Sequence, residues 1–311
     1  MKKTLDIIIV NWNAGKQLYD CLESIQNTNK ESFKLNKVIV VDNASTDDSL
    51  KNLLKLDIPL EIIRNKSNLG FATACNQGAK LSNSDFILFL NPDTILYEES
   101  LNIPMKFMQD DKNTDVGICG IQLIDEFGKV TRTCSRFPRT KYFISKMFLI
   151  NKLFPNLNHH MLEWDHKKNL EVDQVIGAFF LIRRSLFEIL GGFDERFFVY
   201  FEEVDLSYRV KEIGFKSMYL ANVQAFHKGG GTSEQVKATR LFYSIRSRIL
   251  YGFKHFSLGS AIILFLATLF IEPMSRIGLG IMRLSLKDIR EVIKAYRMLI
   301  KDIPNIVRMI I

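Results

Sequence analysis

The sequence predicts an α/β protein: a doubly wound, mostly parallel central sheet with helices on both faces, followed by a C-terminal helical extension. Three observations predict it. Short β-branched apolar runs alternate with helix-period segments through the first ninety residues, which is the rhythm of parallel βα units. Polar residues gather directly after each run, where open α/β sheets bind their ligands. The stretch Lys237–Ile311 carries a separate charge signature, 13 basic against 4 acidic residues.

The strands fall at Leu5–Val10, Val38–Val41, Leu60–Ile63 and Phe86–Leu90, and helical patterns at Gly15–Ile25, Asp47–Leu56 and Phe71–Leu81. After Val116–Gly120, the runs Ile121–Ile124 and Lys129–Thr133 flank Asp125-Glu126-Phe127-Gly128, a hairpin signal. Arg136–Asn169 is irregular. Within it Tyr142–Phe154, with Lys146 and Lys152, reads either as a helix packed on the core or as an acceptor lid that touches lipid. Val175–Arg183 is a further buried strand, in which Gly177 lets the backbone approach a ligand. Ser185–Leu190 then leads into the stretch Gly191–Arg209.

That stretch holds the densest chemistry. A double glycine turn feeds an aromatic run that delivers Glu202, Glu203 and Asp205. Carboxylates set beside Phe and Tyr are desolvated and repel one another, so their pKa values rise toward neutrality, as a general base requires. The competing reading is a helix N-terminus, where acids complement the macrodipole.

The chain has 311 residues, 47% hydrophobic and 24% charged, a globular composition. Cys21, Cys75, Cys119 and Cys134 are scattered without metal-ligand spacing, as expected of reduced thiols. The apolar run Ile7–Val10 is too short for a secretory signal and is ended by Asn11 and Asn13. The net charge is +8, yet Met1–Val236 holds 29 basic and 30 acidic residues. The basicity therefore belongs to the tail, which points to a surface that the tail touches and away from a nucleic-acid footprint.

No GxGxxG follows the first strand and no GxxxxGK[ST] occurs, which disfavours a dinucleotide dehydrogenase and a P-loop enzyme. Asn11 and Asn13 follow the first strand, Asp42 and Asn43 the second, Asn65 to Asn68 the third, and Asn91-Pro92-Asp93 the fourth. Asp42 can accept hydrogen bonds from a nucleoside, or else cap a helix begun at Ser45–Asp48. Gly70, after Asn68, sits at a helix entry where backbone approaches closely. Asp93 suits Mg²⁺ or Mn²⁺ bridging two phosphates, or an Asx turn.

In the tail, Ser257–Ile271 is uncharged but shorter than the about 20 residues that span a bilayer, and Glu272-Pro273 ends it. It reads as a buried or half-inserted helix. Beyond it Met282, Leu286, Ile289, Ile293, Tyr296 and Ile300 form one apolar stripe, edged by Arg283, Lys287, Arg290, Lys294, Arg297 and Lys301. That pattern fits an interfacial helix on anionic lipid, or a solvated face over a packing surface.

The ordered motifs Ile7–Asn13, Val41–Asp47, Asn68–Ala72, Leu90–Thr94 and Gly191–Arg209 together resemble the family 2 glycosyltransferases of the GT-A fold, bacterial rhamnosyltransferase-like members above all. The resemblance spans roughly the first three quarters of the chain. It implies inverting transfer of a sugar from a nucleotide donor, with dTDP-L-rhamnose or a UDP-hexose fitting the same residues. The acceptor is a hydroxyl of a saccharide or polyprenyl-linked glycan, and a divalent metal, Mg²⁺ or Mn²⁺, assists. It implies a nucleotide-sugar-binding half over 1–120, an acceptor and catalytic half over 121–233 and an amphipathic helical region over 234–311. With that tail the protein would lie at the cytoplasmic face of the plasma membrane.

By the same resemblance Asp42 holds the nucleoside, Asn11, Asn13, Asn43, Asn68, Gly70, Asn91 and Gly177 line the donor, and Asp93 with His227 holds the metal. Glu203 is the base, with Glu202 or Asp205 in reserve. From its own composition, the loop of Lys228 and the following glycines reads either as closing over the diphosphate or as a simple linker to the tail. Asn91-Pro92-Asp93 keeps one carboxylate where the family has two or three, and Glu203 stands where the family often has Asp. Two other classes remain open at this point: a sugar-nucleotide-forming nucleotidyltransferase, for which Asn11–Lys16 offers little glycine, and a non-catalytic sugar-nucleotide or membrane scaffold.

Overall fold

A computed structural model describes residues 2–161, 163–229 and 236–311. In chain order its elements are β1 (Thr4–Asn11), α1 (Lys16–Gln26), β2 (Lys34–Asp42), β3 (Leu60–Arg64), α2 (Phe71–Ala79), β4 (Phe86–Leu90), β5 (Thr94–Leu96), α3 (Asn102–Gln109), β6 (Val116–Ile124) and β7 (Cys134–Ser135). Then come α4 (Thr140–Met147), α5 (Ile150–Leu153), β8 (Leu170–Val172), β9 (Gln174–Val175), β10 (Phe179–Arg183), α6 (Arg184–Ile189), α7 (Glu202–Glu212) and β11 (Lys216–His227). The tail forms α8 (Lys237–His255), α9 (Leu258–Leu266), α10 (Glu272–Met282) and α11 (Leu286–Ile310). These fall into two units, one of residues 1–135, 164–195 and 202–232, the other of 136–163, 196–201 and 233–311.

The first unit is built on one sheet in the order β3-β2-β1-β4-β10-β6-β11-β5, with β8 on β11. The β3-β2-β1-β4 half is wholly parallel, as the βαβ rhythm requires. The other half is mixed: β10 runs antiparallel to both β4 and β6, while β11 is parallel to β6. Both faces are covered. Leu5, Ile7, Ile9, Val38, Val40 and Leu88 join the core beneath α1, while Ile8 and Val41 lie under α2. Gly78 makes that second contact possible, since a Cβ there would stand 2.6 Å from Ile8 Cγ2. This double burial explains why the strands are continuous apolar runs.

Three sequence expectations change. Asp47–Leu56 is not an α-helix, and only Leu53–Lys55 makes one 3₁₀ turn. The Asp47 carboxylate accepts from Ser49 N (3.1 Å) and Gly15 N (2.8 Å), and Asn52 is left-handed (φ 64°), so local side-chain bonds outcompete the helix. Where a hairpin was expected, β6 runs unbroken from Val116 to Ile124 and the return arm makes one isolated bridge, Ile124 to Val130. The run Val175–Arg183 is two strands, because β9 leaves the main sheet to pair with β7.

In the second unit, Glu272-Pro273 does not end the apolar helix. Helix α9 passes through one π turn, Ala267–Ile271, into α10, giving 25 continuous residues with a mean hydropathy of 1.8 in its most apolar window. Pro273 directly follows the π turn, as the second residue of α10. By length and composition this helix is sufficient to cross a bilayer, contrary to the reading of Ser257–Ile271 alone. Helix α11 packs through Val292, Ala295, Tyr296, Leu299 and Ile306, a face rotated from the expected stripe. Of that stripe Leu286 and Ile300 are 71% and 61% exposed, because the helix carries two apolar faces and periodicity alone does not say which one packs.

Candidate active site

The polar residues after β1 to β4 form one continuous rim at the strand C-termini, all in the first unit. Asn11 is fully buried, and its amide donates to Asp42 Oδ1 and Ser49 Oγ, both at 2.8 Å. Asn13, left-handed at φ 52°, accepts from Thr46 N at 2.8 Å. These two side chains thus hold the loop that presents Asp42 and stand behind it. Asn43 is buried and donates to Gly70 O at 3.0 Å, while Asn68 accepts from Gly70 N at 2.9 Å. Gly70 itself has φ 89° and ψ 167°, a conformation that essentially only glycine holds, at the N-terminus of α2.

Pairing of β5 with β11 sets Thr94 opposite His227. The consequence is local: Asp93 Oδ1 lies 3.3 Å from His227 Nε2, Asn91 Nδ2 lies 3.4 Å from that same nitrogen, and Lys228 N donates to Asp93 O at 3.2 Å. Among the described residues no group of three or more His, Cys, Asp or Glu side chains could hold a metal. The pair fits a cation nonetheless. Two donors about 2.1 Å from one octahedral ion, at right angles, stand about 3 Å apart, close to the observed spacing. Asn91 N donates to Ala178 O (3.1 Å), so Gly177 adjoins the same tip, and the space a Cβ would take there is open.

The carboxylate stretch reaches this edge through α2. Asn76 donates to Phe193 O (2.8 Å) and Glu195 Oε1 (2.9 Å) and accepts from Phe193 N (3.0 Å). Gly191 and Gly192 are left-handed (φ 73° and 76°), and a Cβ on Gly192 would meet Asn76 Oδ1 at 2.7 Å. Tyr200 and Phe201, with φ 68° and 72°, are left-handed without being glycine. Such backbone strain clusters at functional sites, and here it adjoins the first turn of α7.

In that turn Glu202 is buried and Glu203 half-buried, and each leaves Oε2 without a hydrogen-bond partner among the described residues. Burial lifts the Glu203 carboxyl above its ordinary range. Burial lifts Glu202 well above it, and the charge of Glu203 adds to that. Cys75 of α2 is pushed up by burial and by both glutamates, which places the pair beside the helix that starts at Gly70. Asp205 is different. Fully buried, it takes Arg209 Nε and Nη2 at 2.8 Å each, while Arg209 also donates to Leu190 O (2.7 Å) and Gly192 O (2.8 Å). Asp205 therefore anchors the turn, and Glu202 and Glu203 are the carboxylates with an oxygen to spare.

The structure thus gathers Asp42, Gly70, Asn91, Asp93, Gly177, His227 and Lys228 along one edge, with Glu202 and Glu203 joined to it by α2. The remainder of the expected lid, Gly230 to Ser233, lies outside the described residues. Sequence reasoning missed Asn76 and Arg209. Arg209 could have been found from its spacing four residues after Asp205, whereas nothing in the sequence marks Asn76.

Residues 6–191 match the family model described as Glycosyl transferase family 2. The chain is 24% identical over 266 residues to the N-acetylglucosaminyl-diphospho-decaprenol L-rhamnosyltransferase of Mycobacterium tuberculosis, covering 81% of this chain and 84% of that protein. It is 28% identical over 234 residues to the rhamnosyltransferase WbbL of Escherichia coli, covering 71% and 82% respectively. Among solved structures it is similar to the mannosyltransferase PcManGT of Pyrobaculum calidifontis in complex with GDP-Man and Mn²⁺. The TM-score is 0.57 at 15% identity, covering 100% of this chain and 85% of that one.

Proposed function

Because the chain belongs to glycosyl transferase family 2, we propose that it is an inverting enzyme moving one sugar, L-rhamnose from dTDP-L-rhamnose, to a hydroxyl of a polyprenyl-diphosphate-linked saccharide in cell-surface polysaccharide synthesis. The observation that carries this reading is the unpartnered oxygen of half-buried Glu203 in the first turn of α7, in the same unit as the Asp93–His227 pair at the strand tips. The rhamnosyltransferase relatives support the sugar and the lipid-linked acceptor.

Glu203 takes the proton from the acceptor hydroxyl as that oxygen attacks the anomeric carbon opposite the leaving diphosphate. Its raised pKa makes it a stronger base than an ordinary carboxylate. Burial and the charge of Glu203 raise the Glu202 carboxyl as well, so the two carboxylates disfavour each other's charge. One-step displacement inverts the configuration. Asp42 receives the nucleoside from the buried side of the rim, and Lys228 places positive charge beside the diphosphate.

Asp93 and His227 would hold a divalent cation, Mg²⁺ or Mn²⁺, whose chemistry is to neutralise the departing diphosphate. The neighbour with bound Mn²⁺ supports that assignment. The tail would seat the protein on the cytoplasmic face of the membrane, since Phe270 and Met274 of the long apolar helix are 64% and 73% exposed.

The deciding experiment offers dTDP-L-rhamnose and UDP-hexoses to wild type and Glu203→Gln. Wild type should consume the rhamnose donor. The variant should bind it and turn over about 10²- to 10⁴-fold more slowly, the usual weight of a general base. Unchanged turnover removes Glu203 from the mechanism, and consumption of a UDP-hexose alone reassigns the donor.

A further inference from the structure

In the second unit two guanidinium groups bind one carboxylate and a third cation lies nearby. Arg248 of α8 pairs with Glu272 and donates to Thr268 Oγ1 at 3.0 Å. Arg276, one helical turn beyond Glu272, reaches the same carboxylate through Nε at 2.9 Å and Nη2 at 2.7 Å. Lys146 of α4 is the third. Burial first, then Arg276 and Arg248, hold its ammonium below the usual lysine range. His159 and His160 adjoin them with ring centroids 3.9 Å apart, and burial lowers them to about 3 and about 4, so both are neutral at pH 7.

The group therefore keeps a surplus of two positive charges, with Arg248 buried and Arg276 half-buried. Lys146 and His160 are nonetheless exposed, so this recess opens to the surface. Arg248 is 7% exposed, and its Nε–H has no acceptor among the described residues. A buried charged donor left unmade is costly, and an anion entering the recess would satisfy it. The helix that supplies Thr268, Glu272 and Arg276 to the recess turns Ile262, Ile263, Leu266, Phe270 and Met274 outward. An anion-binding guanidinium and aliphatic contacts are thus presented by one element.

We propose that Lys146, Arg248 and Arg276 form a binding site for the diphosphate of a prenyl-diphosphate-linked acceptor, with the prenyl chain lying along the apolar face of α9 and α10. The site rests on the transferase reading above and adds to it the place where the acceptor's diphosphate is held. Two phosphates carry the charge that offsets the surplus, and guanidinium groups are suited to phosphate oxygens.

The test titrates the full chain with farnesyl diphosphate in EDTA, which removes metal-dependent binding at Asp93, and with inorganic pyrophosphate, farnesol and phosphatidylglycerol vesicles. Farnesyl diphosphate should bind, pyrophosphate should compete weakly, farnesol should not compete, and Lys146→Gln should weaken binding at least tenfold. Arg276→Gln should do the same. Lys146 is a surface residue and its variant is expected to fold, as near-ultraviolet circular dichroism would verify. Equal affinity in both variants, binding of farnesol as tight as its diphosphate, or vesicles displacing farnesyl diphosphate through Lys146 each overturns the site. Absence of farnesyl diphosphate binding in a preparation that still consumes a nucleotide sugar overturns the site and leaves the transferase reading standing.

Discussion

Replacing Arg209 by methionine keeps the volume and removes the charge beneath the turn that carries Glu203. Asp205 is then left fully buried without its guanidinium, and the carbonyls of Leu190 and Gly192 lose their donors. Breaking a buried ion pair from one side costs about 3–5 kcal/mol, because the remaining charge stays desolvated. The two carbonyls add to this only if water does not reach them, so the lower figure is the safer expectation. At roughly 2–4 °C per kcal/mol for a unit of this size, the first unit should melt roughly 10 °C lower. Thermal unfolding followed by circular dichroism reads this directly. The added change Asp205→Asn should recover part of the loss, since it removes the uncompensated charge. Because the pair fixes the turn that carries Glu203, kcat should fall more than KM rises at a temperature where both proteins are folded. A melting temperature within about 2 °C of wild type, or a double variant no more stable than the single one, refutes this account of the pair.

Three further outcomes follow from the same geometry. The acidic limb of the kcat/KM profile should lie above the ordinary carboxylate range, because Glu203 must be ionised to act and its pKa is raised; a limb at or below about 4.3 removes that basis. Glu202→Gln should stabilise the fold at neutral pH. A carboxyl whose folded pKa is raised costs stability above its unfolded pKa, so the gain should vanish as pH falls toward about 4, and a gain independent of pH would contradict it. Asp93→Ala and His227→Ala should each raise the Mn²⁺ concentration needed for half-maximal transfer, and turnover insensitive to EDTA in wild type would take the cation out of the scheme. For the tail, Phe270→Glu should reduce co-sedimentation with anionic vesicles while the melting curve stays put, and equal sedimentation would count against this face as the membrane contact.

Much of the polar rim was legible because each strand is a continuous apolar run with a polar stop. Asp42, Gly70 and Asp93 could be placed on loop tips from that punctuation alone. What could not be read was partnership. Asn11 and Asn13 look like ligand contacts in sequence, yet their hydrogen bonds go to Asp42, Ser49 and Thr46. Asp205 looks like a third catalytic acid until Arg209 is seen closing on it. The π turn at Ala267–Ile271 was equally hidden, since Pro273 ordinarily marks a helix boundary and here lies within a longer one.

The helix Leu258–Met282 buries Thr268 and Glu272 beside Ala261, Leu264 and Ala267, while its longer aliphatic and aromatic side chains, Ile262, Ile263, Leu266, Phe270 and Met274, turn away from the protein. Its tolerance to mutation is accordingly reversed from that of a soluble helix. Outward positions accept one aliphatic residue for another but not a charge, whereas the inward polar positions resist even conservative exchange. A variant library scored for growth would show polar residues conserved on the hidden side of this segment and free interchange of Leu, Ile, Met and Phe on the open one.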